Sequence, residues 1–187
     1  MRFGTVTLVG RTNVGKSTFL NCALGEPLAI VSPLPQTTRD ALLGVAKHGD
    51  AQIAFLDTPG VHRPRTELGR RMNTAAYDSA RAADVLVFVT DVWTQLPKAP
   101  VTGAPASANP LHSPWIRPGD RDVIEQLREL GNKPCVIAIN KVDLQKNKGA
   151  LLPMLEAYSA AFDFAALVPT SFRRTDGVQI VLDEVAK

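Results

Sequence analysis

The chain has 187 residues, of which 45% are apolar and 21% charged, so its length and composition are those of one globular domain with a sizeable core. No apolar run approaches the ~20 residues that a membrane-spanning helix needs, and both cysteines, Cys22 and Cys135, lie inside predicted elements, which favours buried thiols over a disulfide or metal site. The net charge of +3 permits a polyanionic partner without requiring one. We expect a single domain over residues 1–187 in the reducing cytoplasm, with no signal peptide.

Segments typical of strands and of helices alternate along the chain. Strands are predicted at residues 3–9, 41–47, 51–56, 84–90, 134–139 and 165–169. Helices are predicted at residues 16–24, 68–82, 120–131, 149–161 and 176–186. This alternation predicts an α/β fold with a doubly wound, mostly parallel, six-stranded sheet. Only His48, Gly49 and Asp50 separate the second and third strands, too few for a crossover, so that pair should be antiparallel and supply one antiparallel edge strand.

The loop after the first strand is a phosphate-binding loop, or P-loop. Residues Gly10 to Ser17 read Gly-Arg-Thr-Asn-Val-Gly-Lys-Ser and open the first helix. Glycines let the backbone curl so that N–H groups point at phosphate oxygens, while Lys16 reaches the β- and γ-phosphates and the Ser17 hydroxyl coordinates Mg²⁺. The residues predicted to hold the nucleotide here are Asn13, Val14, Gly15, Lys16, Ser17 and Thr18. The fold is therefore predicted to be a P-loop NTPase.

Two threonines between the first helix and the second strand are candidate switch residues. A hydroxyl from Pro35-Gln-Thr-Thr-Arg-Asp40 can complete the Mg²⁺ shell only while the γ-phosphate is present, so the segment would order with the triphosphate and be released after hydrolysis. We prefer Thr38 as the ligand, with Thr37 as the alternative.

Asp57-Thr-Pro-Gly60 closes the third predicted strand. A carboxylate at Asp57 would hold Mg²⁺ through a water molecule, and the N–H of Gly60 would contact the γ-phosphate. By itself the motif is a common turn. Because it follows a P-loop, it strongly indicates a site for Mg²⁺ and the γ-phosphate. We therefore expect Lys16, Thr38 and Gly60 to act on the transferring phosphoryl group.

A proline-rich segment interrupts the regular pattern. Residues 93–119 contain six prolines, at positions 97, 100, 105, 110, 114 and 118. Because proline removes backbone donors, this segment is predicted to be a long, poorly ordered loop inserted between the fourth strand and the third helix. A tolerated surface insertion and a partner-binding arm both remain open.

Asn140-Lys-Val-Asp143 ends the fifth predicted strand and indicates which nucleotide base the chain binds. The Asp143 carboxylate accepts hydrogen bonds from guanine N1–H and the exocyclic amine, and adenine would leave it unpaired. Lys141 would lie along the base, and Asn140 would tie this loop to the P-loop. Thr170-Ser171 ends the sixth strand and would place a backbone N–H on the guanine carbonyl. The predicted ligands are therefore GTP and GDP with Mg²⁺.

Taken together, these motifs resemble the G domain of the Era family of bacterial ribosome-assembly GTPases, within the translation-factor class. The strings that carry the resemblance run from Gly10 to Asn21, Ile30 to Arg39, Asp57 to Pro64 and Asn140 to Leu144. The resemblance covers nearly the whole chain except the proline-rich insertion. Phe172 stands where this family usually has alanine. The family's C-terminal RNA-binding KH domain has no counterpart in these residues, so we expect none here.

The resemblance implies slow GTP hydrolysis and a role in maturing the small ribosomal subunit through 16S rRNA. It also implies K⁺ stimulation, with Asn13 as the K⁺ ligand, and allows peripheral contact with a membrane. Val61 occupies the position where many GTPases carry a glutamine that orients water, so intrinsic turnover should be slow.

Two alternatives are left open. One is a GTP-dependent binding module with negligible intrinsic hydrolysis, and the other is a related GTPase that acts on the large subunit or in tRNA modification.

Overall fold

The structure is a computed structural model that describes residues 2–25, 42–56, 80–92 and 109–187. Its strands are β1 (Arg2–Val9), β2 (Leu42–His48), β3 (Ala51–Leu56), β4 (Val85–Asp91), β5 (Cys135–Asn140) and β6 (Ala166–Pro169). Its helices are α1 (Lys16–Leu24), α2 (Pro118–Glu129), α3 (Leu151–Ala161) and α4 (Thr175–Val185). Short 3-10 turns lie at Pro110–His112, Val142–Leu144 and Lys148–Ala150. Residues 80–82 are helical and agree with the end of the helix predicted at 68–82.

The strands form one sheet in the order β2-β3-β1-β4-β5-β6. β1 pairs in parallel with β3 and β4, and the pairs β4–β5 and β5–β6 are also parallel. β2 lies antiparallel to β3 at one edge, with His48 opposite Ala51 across the turn. The predicted α/β fold with one antiparallel edge strand is confirmed. Because the other strands are parallel, the loops that follow β1, β4, β5 and β6 all emerge on the side of the sheet where the parallel strands have their carboxyl ends.

The sheet is covered on both faces, which explains why its strands read as nearly continuous apolar runs. In β4, Leu86 and Phe88 belong to the core beneath α2 and α3, whereas Val87 and Val89 belong to the core beneath α1 and α4. All four side chains are at most 1% exposed. Complete burial of each stabilises the fold by roughly 1.5–3 kcal/mol, so the two cores hold the strand ends, and the loops that follow them, in place.

The prediction of a poorly ordered loop over residues 93–119 is wrong for its C-terminal part. Leu111 and Ile116 are 2% and 1% exposed and belong to the core that contains α3. The Asn109 side chain accepts a hydrogen bond from Leu111 N at 3.0 Å, and Pro110 and Pro118 each occupy a first helical turn. Proline is compatible with that position because the N–H it lacks would have no intrahelical partner there.

The predicted burial of the two cysteines is confirmed for one of them. Cys135 is buried as predicted, whereas Cys22 is only half-buried. In the ranges that the structure describes, no helix is long and apolar enough to cross a membrane. Residues 26–41, 57–79 and 93–108 lie outside the described residues.

Candidate nucleotide-binding site

The loop from Gly10 to Gly15 joins the end of β1 to the start of α1. Gly10 and Gly15 adopt φ angles of 139° and 113°, and Asn13 adopts a φ of 62°. A Cβ atom at Gly10 would overlap the carbonyl oxygen of Val89, and one at Gly15 would overlap the side-chain amide of Asn140. Glycine is therefore required at both positions for the backbone conformation and for the close approach of neighbouring strand ends.

Lys16, the first residue of α1, turns its side chain back over the loop. Its Nζ donates hydrogen bonds to the carbonyl oxygens of Gly10 at 2.7 Å and Arg11 at 2.6 Å. Burial, and to a smaller extent the nearby charge of Arg11, lowers the pKa of Lys16 to about 8. The ammonium is thus held above the P-loop by neutral acceptors, and phosphate oxygens would be much stronger partners for it.

Asn140, the last residue of β5, connects three segments. It is 4% exposed, and its Nδ2 donates to the carbonyl oxygen of Val14 at 2.8 Å. Its Oδ1 accepts a hydrogen bond from the backbone N–H of Phe172 at 2.9 Å. The amide therefore joins the P-loop, the end of β5 and the loop after β6.

Lys141 and Asp143 lie in the loop directly after β5. Lys141 Nζ donates to the carbonyl oxygen of Asn13 and to Asp91, at 2.8 Å in each case. Asp143 Oδ1 accepts a hydrogen bond from Ser171 Oγ at 2.6 Å, and Arg173 lies 3.8 Å from its second oxygen. The Ser171 hydrogen bond, assisted by nearby positive charge, outweighs slight burial and lowers the pKa of Asp143. The carboxylate is thus ionised at neutral pH and suited to accept donors from a base.

Thr170 is hydrogen-bonded within the fold through both its backbone and its side chain. Its backbone N–H donates to Ile139 O at 2.9 Å in continuation of the sheet, and its hydroxyl donates to the carbonyl oxygen of Gly177 at 2.7 Å. Thr170 therefore anchors the start of α4, and its donors are not directed at a base. Ser171 is the member of the predicted pair that faces Asp143.

Phe172 contributes to the site through packing. Its ring is 1% exposed and lies 5.1 Å from the ring of Phe19 in α1, measured between centroids. The larger side chain at the family's alanine position thus fills the core beneath the P-loop helix, while its backbone N–H holds Asn140.

Only some of the residues predicted to bind a metal ion lie in the described part of the chain. Ser17 and Thr18 are exposed in the first turn of α1, and Asn13 is exposed in the P-loop. A serine hydroxyl is a hard oxygen donor of the kind that Mg²⁺ prefers. Thr37, Thr38, Asp57, Gly60 and Val61 lie outside the described residues. Among the described residues there is no group of three or more His, Cys, Asp or Glu side chains that could hold a metal ion.

Three charged residues in this region were missed by the sequence analysis. Arg11 in the P-loop forms ion pairs with Asp91 at the end of β4 and with Asp120 in the first turn of α2, at 2.6 and 2.7 Å. Arg11 occupies a variable position of the P-loop motif, and the two acids lie 80 and 109 residues away. Only the position of Asp91 at a strand end gave a signal, because such positions border the ligand crevice of parallel sheets.

Comparison with known proteins identifies the family to which the chain is similar. Residues 5–141 match the model of a protein family described as 50S ribosome-binding GTPase. The chain is 36% identical over 183 residues to a protein named GTPase Era from Ruminiclostridium cellulolyticum, covering 97% of this chain and 53% of that protein. The chain thus spans about half the length of the curated relatives it matches.

Two solved structures of Era are similar over the whole chain. One, in complex with MgGDPNP and a segment of 16S ribosomal RNA, has 33% identity and a TM-score of 0.70 and is covered to 55% of its length. The other, a variant of Aquifex aeolicus Era bound to GDP·AlF4⁻, has 34% identity and a TM-score of 0.69 and is likewise covered to 55%.

Proposed function

The chain belongs to the family of GTPases described as 50S ribosome-binding GTPase, and from this premise we propose that it binds GTP with Mg²⁺ and hydrolyses it to GDP and phosphate as a molecular switch. The observation that carries this proposal is the pair of hydrogen bonds made by Asn140, to Val14 O at 2.8 Å and from Phe172 N at 2.9 Å. They hold a phosphate-binding loop and a guanine-specific carboxylate at one edge of the sheet, so a single nucleotide can contact both.

The proposed roles follow from the chemistry of each group. Lys16 stabilises negative charge on the β- and γ-phosphates, and Ser17 is the Mg²⁺ ligand in the described part of the chain. Thr38, with Thr37 as the alternative, and Asp57 complete the metal shell, and Gly60 contacts the γ-phosphate. Bound Mg²⁺ would supply charge neutralisation for the leaving phosphate oxygens.

Slow intrinsic turnover is part of the proposal. The Val61 side chain has no polar atom with which to orient water, so the missing stabilisation must come from a backbone-held water, from K⁺ or from a partner. The Asn13 side chain is the proposed K⁺ ligand because of the resemblance to the Era family, and Asn13 is exposed in the P-loop.

A GTP-dependent binding module with negligible hydrolysis is the nearest alternative. Single-turnover hydrolysis in K⁺ compared with Na⁺ separates the two. Release of phosphate that is faster in K⁺ supports the GTPase, and GTP that stays intact in both salts supports the binding module.

We propose that the switch is read by 16S rRNA in the small ribosomal subunit, and that it acts in the cytoplasm. One similar Era structure contains 16S ribosomal RNA together with a GTP analogue, which supports this partner. The family description names the 50S subunit instead, and this observation favours the large subunit as a second candidate. Co-sedimentation of the GTP-bound chain with purified 30S or 50S subunits distinguishes the two partners.

The substitution Asp143→Asn tests the guanine assignment. Asparagine presents an N–H where guanine carries its exocyclic amine, so GDP affinity should fall about 10²-fold or more. Xanthosine diphosphate carries an oxygen at that position and should bind better to D143N than to the wild-type chain. Competition against a fluorescent nucleotide measures both affinities.

Asp50→Asn is the matched control for that experiment. Asp50 pairs with Arg2 at 3.3 Å on the exposed surface, at the opposite edge of the sheet from the P-loop. D50N should keep the wild-type preference for GDP. Unchanged GDP preference in D143N contradicts the assignment of Asp143 to the base.

A further inference from the structure

Asp91 lies between the phosphate-binding loop and the base-binding loop. One carboxylate oxygen accepts a hydrogen bond from the Arg11 guanidinium at 2.6 Å, and the other accepts one from Lys141 Nζ at 2.8 Å. The Asp91 side chain is 16% exposed. Burial opposes its ionisation, but the hydrogen bonds from Lys141 and Arg11 prevail and lower the pKa of Asp91. One ionised carboxylate is therefore shared between two loops that a nucleotide would contact.

Arg11 is fixed from its other side by a buried acid. Its Nε donates to Asp120 Oδ1 at 2.7 Å, and the Asp120 side chain is 0% exposed. The second oxygen of Asp120 accepts hydrogen bonds from Thr90 Oγ1 at 2.7 Å and from Tyr158 OH at 2.6 Å. A buried carboxylate with its acceptor sites filled in this way cannot readily move, so the Arg11 guanidinium has one defined position.

Two lysine side chains hold the backbone of the P-loop next to Asp91. The carbonyl oxygen of Arg11 accepts a hydrogen bond from Lys16 Nζ at 2.6 Å. Lys141 Nζ donates to the carbonyl oxygen of Asn13 as well as to Asp91. A shift of Asp91 would therefore displace both the residue that holds Lys16 and the residue expected to lie along the base.

We propose that Asp91 is a positioning residue that couples guanine recognition to phosphate binding, by holding Lys141 of the base loop and Arg11 of the P-loop with one carboxylate. The proposal rests on the function proposed above. It identifies Asp91 as a determinant of how long the bound nucleotide is retained, although Asp91 belongs to none of the motifs that define the site.

The sign of the expected effect separates positioning from simple electrostatics. Asp91→Asn removes a negative charge near a site for an anionic ligand, which by itself would strengthen nucleotide binding. Loss of positioning weakens binding, because Arg11 and Lys141 bond to different oxygens of Asp91 and the amide replaces one of these oxygens with an NH2 group that donates. Faster release of nucleotide from D91N can therefore not be attributed to the change in charge.

The experiment measures dissociation of a fluorescent GDP analogue by stopped flow from the wild-type chain, D91N and the control D50N. D91N should release the nucleotide about tenfold faster, since changes in affinity within one site mostly affect the dissociation rate. D50N should stay within about twofold of the wild type, as expected for an exposed ion pair. Release from D91N at the wild-type rate or more slowly overturns the proposal.

A double-mutant cycle with Lys141→Met tests whether Asp91 acts through Lys141. In the K141M background, the effect of D91N on the dissociation rate should shrink by about threefold or more, because the effects of substitutions at contacting residues are not additive. An effect of D91N that is unchanged in that background overturns the coupling.

The outcomes for the two proposals are distinguishable. If the wild-type chain does not bind the GDP analogue, the proposed function fails together with this inference. If it binds and D91N releases like the wild type, this inference alone fails. Should D91N not fold, Tyr158→Phe takes its place, because loss of its hydrogen bond to Asp120 loosens Arg11. Y158F should then release GDP about two- to fivefold faster, and an unchanged rate overturns the proposal.

Discussion

At the scale of single residues, the Lys16 ammonium lies over the P-loop in an environment that partly desolvates it. Lys16 is half-buried, and its ammonium is hydrogen-bonded to two backbone carbonyl oxygens. Desolvation disfavours the charged form, and a bound phosphate would favour it again. The pKa of about 8 therefore predicts that nucleotide affinity depends on pH in an accessible range.

GDP affinity should fall as the pH rises through 8. At pH 9, one unit above the pKa of Lys16, about one molecule in eleven keeps the ammonium, so GDP should bind about tenfold more weakly than at pH 7.5. GMP is the control ligand, because it shares the base but lacks the phosphates that Lys16 reaches. Competition titrations of both nucleotides measure the difference, and parallel pH profiles for GDP and GMP would contradict this role.

The contribution of Lys16 to stability without nucleotide has the opposite sign. Its pKa is lower in the folded chain, at about 8, than the ordinary value of 10.5, so the folded state loses the proton first. The cost of burying the ammonium is present below pH 8 and is relieved as the pH rises from 8 to 10.5. Stability should thus increase across the window in which GDP affinity declines.

At the scale of elements, residues 109–117 contribute two side chains to the core. Leu111 and Ile116 fill the space beneath α3, with 2% and 1% exposure. Arg117 donates to the carbonyl oxygen of Val92 at 2.8 Å. The segment is therefore joined directly to the end of β4, next to Asp91.

Ile116→Ala should destabilise the chain by about 2–4 kcal/mol, because it removes three buried carbons and leaves a cavity. The matched control is Ile180→Ala on α4, where the side chain is 49% exposed and the cost should stay within about 0.5 kcal/mol. Urea unfolding of both variants gives the comparison. Equal stability of the two variants would show that residues 109–117 do not pack as described.

At the scale of the whole molecule, the sheet brings distant motifs to one edge. β4 and β5 run in parallel with Asp91 opposite Asn140, and the loop after β6 adds Ser171 and Phe172. Asn140 connects these parts, so its loss should lower both the stability of the fold and the retention of nucleotide.

Asn140→Ala leaves the Val14 carbonyl and the Phe172 N–H without their partner. The expected loss of stability is about 1–3 kcal/mol, and the stabilisation by GDP, about 2.7 kcal/mol at a hundredfold excess over Kd for the wild type, should shrink. Asn109→Ala removes one capping hydrogen bond, at a cost of about 1 kcal/mol, and should keep the GDP effect. Urea unfolding with and without GDP measures both terms, and an equal GDP effect in N140A would contradict the role of Asn140.

Much of the architecture was predictable because it depends on local patterns. Apolar runs, glycines and short connections predict strands, helix starts and the β2–β3 hairpin from neighbouring residues alone. The motifs at Gly10 to Ser17 and Asn140 to Asp143 likewise carry their chemistry within a few residues. The strand ends moved by only one residue or so, since hydrogen-bond pairing with neighbouring strands sets the final residue of each.

By itself, the sequence determined the α/β class and the order of the strands and helices along the chain, and it contains the motifs from which phosphate and guanine sites are predicted. The tertiary structure alone decided that Thr170 anchors α4, that Leu111 and Ile116 enter the core, and that Arg11 meets two acids. These contacts join residues as far as 109 positions apart. Arg11 meets Asp91 because β1 pairs with β4, and it meets Asp120 because α2 docks onto the sheet. No periodicity or local motif encodes this pairing or this docking.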